Sequence, residues 1–267
     1  MIWQRGSMRT IIVTGSGLLA WLLLADSTSA QTYPRTELTT QVDELFAEWD
    51  GEISPGAVVG IFMDGRIIYS KGYGVANLDY DIPITPQSVL RIGSISKQFI
   101  AMCIAMLAEQ GKLSFDDDIR TYLPEMPDYG NQVTIRHLLH HTSGIREYLA
   151  LVNLIGKPEG SVFGYTTREL VELLSRQQRL NFKPGSQFSY TNSGYFLLAE
   201  IVTRVSGMKA SAFAQENIFE PLGMTQTRFY DDPNAIIRNQ AFGYSPKRDG
   251  GYRLDILRSD VIGDLGV

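Results

Sequence analysis

Ile92-Gly93-Ser94-Ile95-Ser96-Lys97 runs into Phe99-Ile100-Ala101-Met102-Cys103-Ile104-Ala105-Met106-Leu107-Ala108, and Gly111 follows. Every residue from 99 to 108 is apolar or small. The spacing predicts a helix that is apolar all round and therefore buried, ended at the glycine. It is too short, and too polar at its start, to span a bilayer. Its first turn carries Ser94 and Lys97, which at three residues apart share a face with Cβ atoms roughly 5–6 Å apart. A lysine at the mouth of a core helix is costly unless it has a partner.

That placement suits covalent chemistry. A serine hydroxyl is a weak nucleophile until a base takes its proton. Lys97 is a candidate base, because desolvation and the positive helix end both disfavour its charged form. The same helix end offers N–H groups to a developing oxyanion. A bare Ser-x-x-Lys also fits a capping serine followed by a surface lysine, so more of the chain is needed to decide.

The 267 residues suit one or two domains, and the formal net charge of −5 gives no footing for nucleic acid. Arg5 and Arg9 precede an apolar stretch over residues 11–24, and Ser27-Thr28-Ser29-Ala30 follows. This is the layout of a secretory signal peptide over residues 1–30, cleaved after Ala30, which makes the protein exported, periplasmic or secreted. The alternative is an uncleaved anchor. The one cysteine, Cys103, lies in the apolar helix and reads as core packing.

Leu38, Val42, Leu45, Phe46 and Trp49 predict an amphipathic helix. Strand-like runs at 57–63 and 66–75 flank Asp64-Gly65, a hairpin turn signal. The first run is apolar nearly throughout, so both of its faces are expected to be covered. Residues 83–227 read as mainly helices and loops, with further strand candidates only near 227–230 and 252–257. Asp116, Asp117 and Asp118 have the wrong spacing for a calcium loop and read as helix caps. His137 and His141 are four apart, but no third ligand is at hand, so no metal is assigned. A Thr-Ser-Gly turn after His141 is the better reading. Helical patterns recur over 167–176, 195–205 and 210–219. Ahead of the second, Lys183-Pro184-Gly185 turns the chain, Ser193 is a plausible N-cap, and Tyr190 and Asn192 fall in a loop, two apart and able to face one cleft.

Gly93-Ser94-Ile95-Ser96-Lys97, His141-Thr142-Ser143-Gly144, Tyr190-Thr191-Asn192-Ser193-Gly194 and Pro221-Leu222-Gly223-Met224, in this order, resemble the serine β-lactamase and penicillin-binding-protein superfamily. Within it the chain looks most like the class C β-lactamase, D,D-peptidase and esterase branch, over most of residues 38–267. The resemblance implies an α+β fold: an antiparallel sheet domain flanked by helices plus an all-helical domain, with the active site between them. Residues 31–82 would give the N-terminal helix and hairpin, and 83–227 the mainly helical part. It further implies Ser94 as acylated nucleophile, Lys97 as proton acceptor and Tyr190 as proton relay. Asn192 would bind substrate and steady Lys97. The His141–Gly144 stretch would be structural. No cofactor is implied, and the partner is a small-molecule or peptide substrate.

One motif departs from that pattern. The family's Lys-Thr-Gly or His-x-Gly element does not occur, and residues 261–267 resemble its Gly-Asp-Gly-Gly segment. A two-stranded hairpin is marginal by itself. The expectation is therefore a fragment or early-ended frame whose C-terminal sheet strands are missing. The leading functional expectation is an exported serine hydrolase acting on β-lactams, D-Ala-D-Ala-type peptides or small esters. The rival is a non-catalytic binder of cell-wall peptides or of a partner protein, or an inactive fragment.

Overall fold

The computed structural model describes residues 35–50, 54–155, 166–232 and 234–255. The leader of residues 1–30 and the glycine-rich segment at 261–267 lie outside the described residues.

Helix α1 (Arg35–Leu45) is followed by a 3₁₀ turn over Ala47–Trp49. Strands β1 (Ala57–Met63) and β2 (Arg66–Tyr73) pair antiparallel, with a register shift between Ile61 and Phe62. Asp64 and Gly65 both take positive φ, 49° and 71°. That geometry matches the natural twist of two strands joined by two residues. Helix α1 is tied to the hairpin by one carboxylate. Asp43 Oδ1 accepts from Tyr69 OH, Tyr73 OH and Lys71 Nζ, each at 2.8 Å, and Phe46 stacks on Tyr73.

β1 is half-buried rather than covered on both faces, and Phe62 and Met63 are 70% and 52% exposed. Among the described residues its only strand partner is β2, so an apolar run is no guarantee of a second covering layer. The short strands β3 (Val75–Asn77) and β4 (Ile82–Pro83) form a second antiparallel pair. A third joins β5 (Gly243–Pro246) to β6 (Tyr252–Asp255). Residues 227–230 form no strand. They turn instead past Phe229, which packs into the helical core against Phe219.

The helical part is built around α2 (Lys97–Glu109) and α6 (Asn192–Ser206). These two pack together, with α3 (Ile135–Leu139) and α7 (Ala210–Ala214) against α6. Ile100, Ile104 and Leu107 meet Leu197, Leu198, Ile201 and Val202 in one fully buried cluster. Each such side chain contributes about 1.5–3 kcal/mol. Truncating Ile104 to alanine would leave a void costing ~2–5 kcal/mol. The all-round burial expected for α2 fails on one side, where Met102 is 51% exposed. Residues 100, 103, 104 and 107 form a single stripe, the ordinary pattern of a helix lying on a core.

Helices α4 (Tyr148–Leu154) and α5 (Thr167–Ser175) complete this part. After α7 the chain tightens differently from the expected helix over 210–219, because Gln215–Phe219 is a π-helical turn. Of the three acids, Asp116 pairs with Arg136, Asp117 accepts from Ser114 N and Tyr122 OH, and Asp118 caps the 3₁₀ turn Ile119–Thr121. Among the described residues no helix is long and apolar enough to cross a membrane.

Candidate active site

Ser94 lies in a 3₁₀ turn, Gly93–Ser96, that feeds directly into α2. The sequence places it on the first turn of the α-helix; the tighter turn is what the structure shows. Side chains three apart eclipse in a 3₁₀ turn, which sets Ser94 over Lys97. Ser96, fully buried, braces the turn by donating to Gly93 O at 2.6 Å. Lys97 is itself buried, whereas Ser94 is exposed. Lys97 Nζ lies 3.1 Å from Ser94 Oγ and 3.0 Å from Asn192 Oδ1. Tyr190 OH lies 2.8 Å from the same Ser94 Oγ. One hydroxyl thus meets an amine and a phenol, and the amine is held from behind by an amide oxygen.

The segment carrying Tyr190 and Asn192 differs from its expected form. The N-cap of α6 is Thr191, whose hydroxyl accepts from Ser193 N. Asn192 is therefore the first residue of the helix rather than a loop residue. Ser193 is fully buried inside the first turn, where its Oγ donates to Arg146 O (2.7 Å) and accepts from Tyr148 N (2.8 Å). The Cβ-less Gly194 lets this turn sit against Leu138.

His141 is the second support. It takes a positive φ of 57°, an uncommon conformation for a residue with a side chain. Its carbonyl accepts from Ser189 N, 2.9 Å, and its Nδ1 accepts from Thr191 N, 3.3 Å. Burial, and then the charge of Lys97, hold its imidazole pKa below the ordinary value. His137 uses its Nδ1 to accept from Thr134 N, closing the capping box of α3. The two Nδ1 atoms are thus engaged by backbone N–H groups.

The residue that sequence reasoning missed is Glu147. Its carboxylate accepts from Asn192 N at 2.5 Å and from Asn192 Nδ2 at 3.4 Å, and caps α4 through Leu149 N at 3.2 Å. The signal was faint: Tyr148-Leu149-Ala150-Leu151-Val152-Asn153-Leu154 is a short apolar helix preceded by an acid, and Glu is an unusual N-cap.

Comparison with known proteins gives the family of the chain. The family model described as Beta-lactamase matches residues 42–260. This chain belongs to the beta-lactamase family. It is 30% identical over 244 residues to a D-aminopeptidase of Gluconobacter oxydans (strain 621H), covering 91% of this chain and 44% of that protein. Among solved structures, the octameric penicillin-binding protein homologue from Pyrococcus abyssi superimposes with a TM-score of 0.74 at 31% identity, covering 88% of this chain and 53% of that one. EstCE1, a hydrolase with promiscuous acyltransferase activity, superimposes with a TM-score of 0.70 at 27% identity, covering 82% and 59%. The α+β, β-lactamase/transpeptidase-like fold expected from the motifs is the fold found. The chain spans about half the length of the proteins it matches.

Proposed function

We propose that this family member is an exported serine acyl-hydrolase that works through a covalent intermediate on Ser94. The observation that carries the reading is the double contact on Ser94 Oγ, by Lys97 Nζ at 3.1 Å and by Tyr190 OH at 2.8 Å. Lys97 takes the hydroxyl proton as Oγ attacks a carbonyl carbon. The tetrahedral oxyanion forms beside the N-terminal end of α2, whose dipole favours negative charge. As the intermediate collapses, Tyr190 gives its proton to the leaving nitrogen or oxygen, and Lys97 restores it. Deacylation runs these transfers in reverse: Tyr190 passes its proton to Lys97 and takes one from the water that attacks the acyl-Ser94 ester, and Lys97 returns its proton to Ser94 Oγ as the ester bond breaks. Asn192 holds Lys97 in place and offers its amide to substrate.

The substrate classes are β-lactams, D-Ala-D-Ala-type peptides and small esters. The likeness to a D-aminopeptidase supports peptides containing D-residues, that to a penicillin-binding protein homologue supports β-lactams, and that to EstCE1, a hydrolase with promiscuous acyltransferase activity, supports acyl transfer. Export rests on the leader-like residues 1–30.

Intact mass after exposure to a fluorophosphonate, and separately to a penicillin, tests the reading, with Ser94→Ala as control. An adduct lost in the variant supports an activated Ser94. A penicillin adduct as well points to β-lactam or cell-wall chemistry over plain esterase activity. A folded chain with no adduct overturns the enzyme reading in favour of a binding role.

A further inference from the structure

An amide side chain presents two ends of nearly equal shape and opposite chemistry. Lys97 Nζ, when charged, can use only the oxygen end of Asn192. Something must therefore keep the NH₂ end turned away. Opposite Lys97, across the Asn192 amide, lies Glu147, whose carboxylate only accepts hydrogen bonds. It takes the Asn192 backbone N–H at 2.5 Å on Oε2 and faces Nδ2 at 3.4 Å with Oε1. From this arrangement we infer that Glu147 is a positioning residue, which orients the Asn192 amide so that its oxygen faces Lys97. The inference rests on the acyl-hydrolase reading of the site.

Two features make the orientation firm. Glu147 is anchored at its own end, because Oε1 also caps α4 through Leu149 N at 3.2 Å. Its neighbours are locked to α6, because buried Ser193 bridges Arg146 O and Tyr148 N. The segment before α4 and the first turn of α6 therefore hold each other in register. A group fixed by its neighbours loses little freedom when it orients a catalytic side chain. The intervening amide also has an electrical role. A carboxylate in direct contact with Lys97 would hold the amine in its charged form. With Asn192 between them, the negative charge polarises the amide towards Lys97 without forming an ion pair that would block proton uptake.

The alternative is that Glu147 merely caps α4, and two substitutions separate these roles. Glu147→Asp keeps the charge and supplies a better N-cap residue, but is one methylene too short to serve both Leu149 and Asn192. Glu147→Gln keeps the length, loses the charge and presents an NH₂ group to Asn192. The time course of fluorophosphonate acylation, followed by intact mass, is expected to slow ~10–100-fold in both. The melting temperature of Glu147→Asp should stay at the wild-type value. In an Asn192→Ala background neither substitution should slow acylation further, since the side-chain amide that Glu147 orients is gone and only the backbone N–H at that position remains to it. Full-rate acylation by folded Glu147→Asp overturns the inference, as does undiminished additivity with Asn192→Ala. If Glu147→Gln does not fold, Glu147→Asp decides alone. If the wild-type chain takes no label, the acyl-hydrolase reading fails separately. Positioning is then read from the ¹⁵N side-chain amide resonance of Asn192, identified by its loss in Asn192→Ala. A shifted resonance in Glu147→Asp supports positioning, and an unmoved one overturns it.

Discussion

His141 brackets Tyr190. Its ring centroid lies 4.5 Å from that of Tyr190, with 33° between the planes, while its carbonyl and its Nδ1 hold the N–H groups of Ser189 and Thr191 on either side. The Thr191 bond needs an unprotonated Nδ1. Burial is the main reason that the imidazole pKa lies below its usual 6.5, with Lys97 adding to the effect, and a depressed histidine pKa means that stability is complete above the unfolded value and is lost as pH falls through the folded one. Acylation of Ser94 should therefore weaken on the acid side of pH ~6.5 as His141 charges and releases Thr191. The groups facing His141 are Lys97, Glu147, His140, Tyr190 and Tyr195. NMR titration of the three histidines beside the acylation profile checks this. An acid limb that does not follow the His141 titration would show that another group sets it.

Tyr190→Phe keeps the ring that packs on His141 and removes only the hydroxyl 2.8 Å from Ser94 Oγ. Its melting temperature should match the wild type, and its acylation rate should fall ~10²–10⁴-fold, the usual worth of a positioned acid–base group. Lys97→Met should fall at least as far. It also strands Asn192 Oδ1, which now accepts from Nζ at 3.0 Å, so its stability should drop as well. Stopped-time labelling with differential scanning calorimetry separates the two effects.

Gly144→Ala tests the backbone behind the site. The glycine has φ of 75°, and a Cβ placed there would sit 2.3 Å from Phe182 O. The left-handed conformation alone costs ~1–2 kcal/mol for a residue with a Cβ. The clash is with backbone, so the loop over 181–185 must also move. We expect a loss of more than about 2 kcal/mol in chemical denaturation, together with slower acylation, because that loop leads to Tyr190.

Local geometry decided what could be read in advance. Ser94 and Lys97 are three residues apart, and Tyr190 and Asn192 two apart, so short-range spacing already puts each pair on one face. The hairpin at Asp64-Gly65 and the cores of α2 and α6 announce themselves through turn chemistry and periodicity. Glu147 does not, because its role arises only where the segment before α4 crosses the start of α6, and nothing in its own neighbourhood marks that crossing. The motif around His141 marks a structural stretch but not which N–H groups it holds. Ser193 shows the same limit. It carries the composition of an N-cap, yet Thr191 takes the cap and Ser193 turns inward to two backbone groups. β1 shows the converse, since apolar composition signals a strand but not what covers it.

The tie between α1 and the hairpin gives a prediction about acid. Hydrogen bonds from Lys71, Tyr69 and Tyr73 bring the Asp43 carboxyl down to about 2. The unfolded value is that of an ordinary aspartate, about 3.9. A depressed carboxylate contributes stability that is complete above the unfolded pKa and is lost as pH falls through the folded one. The Asp43 contribution should thus be whole at neutral pH and decline between about pH 5 and pH 2. Asp43→Asn keeps the shape but loses the charge that three donors converge on, so it should melt below the wild type at pH 7. The gap should close as the pH approaches 2, where the wild-type carboxyl is itself protonated. Melting temperatures of both proteins across this range supply the check. A gap of constant size down to pH 2 would mean that the tie works through shape alone and that the Asp43 charge adds nothing to it.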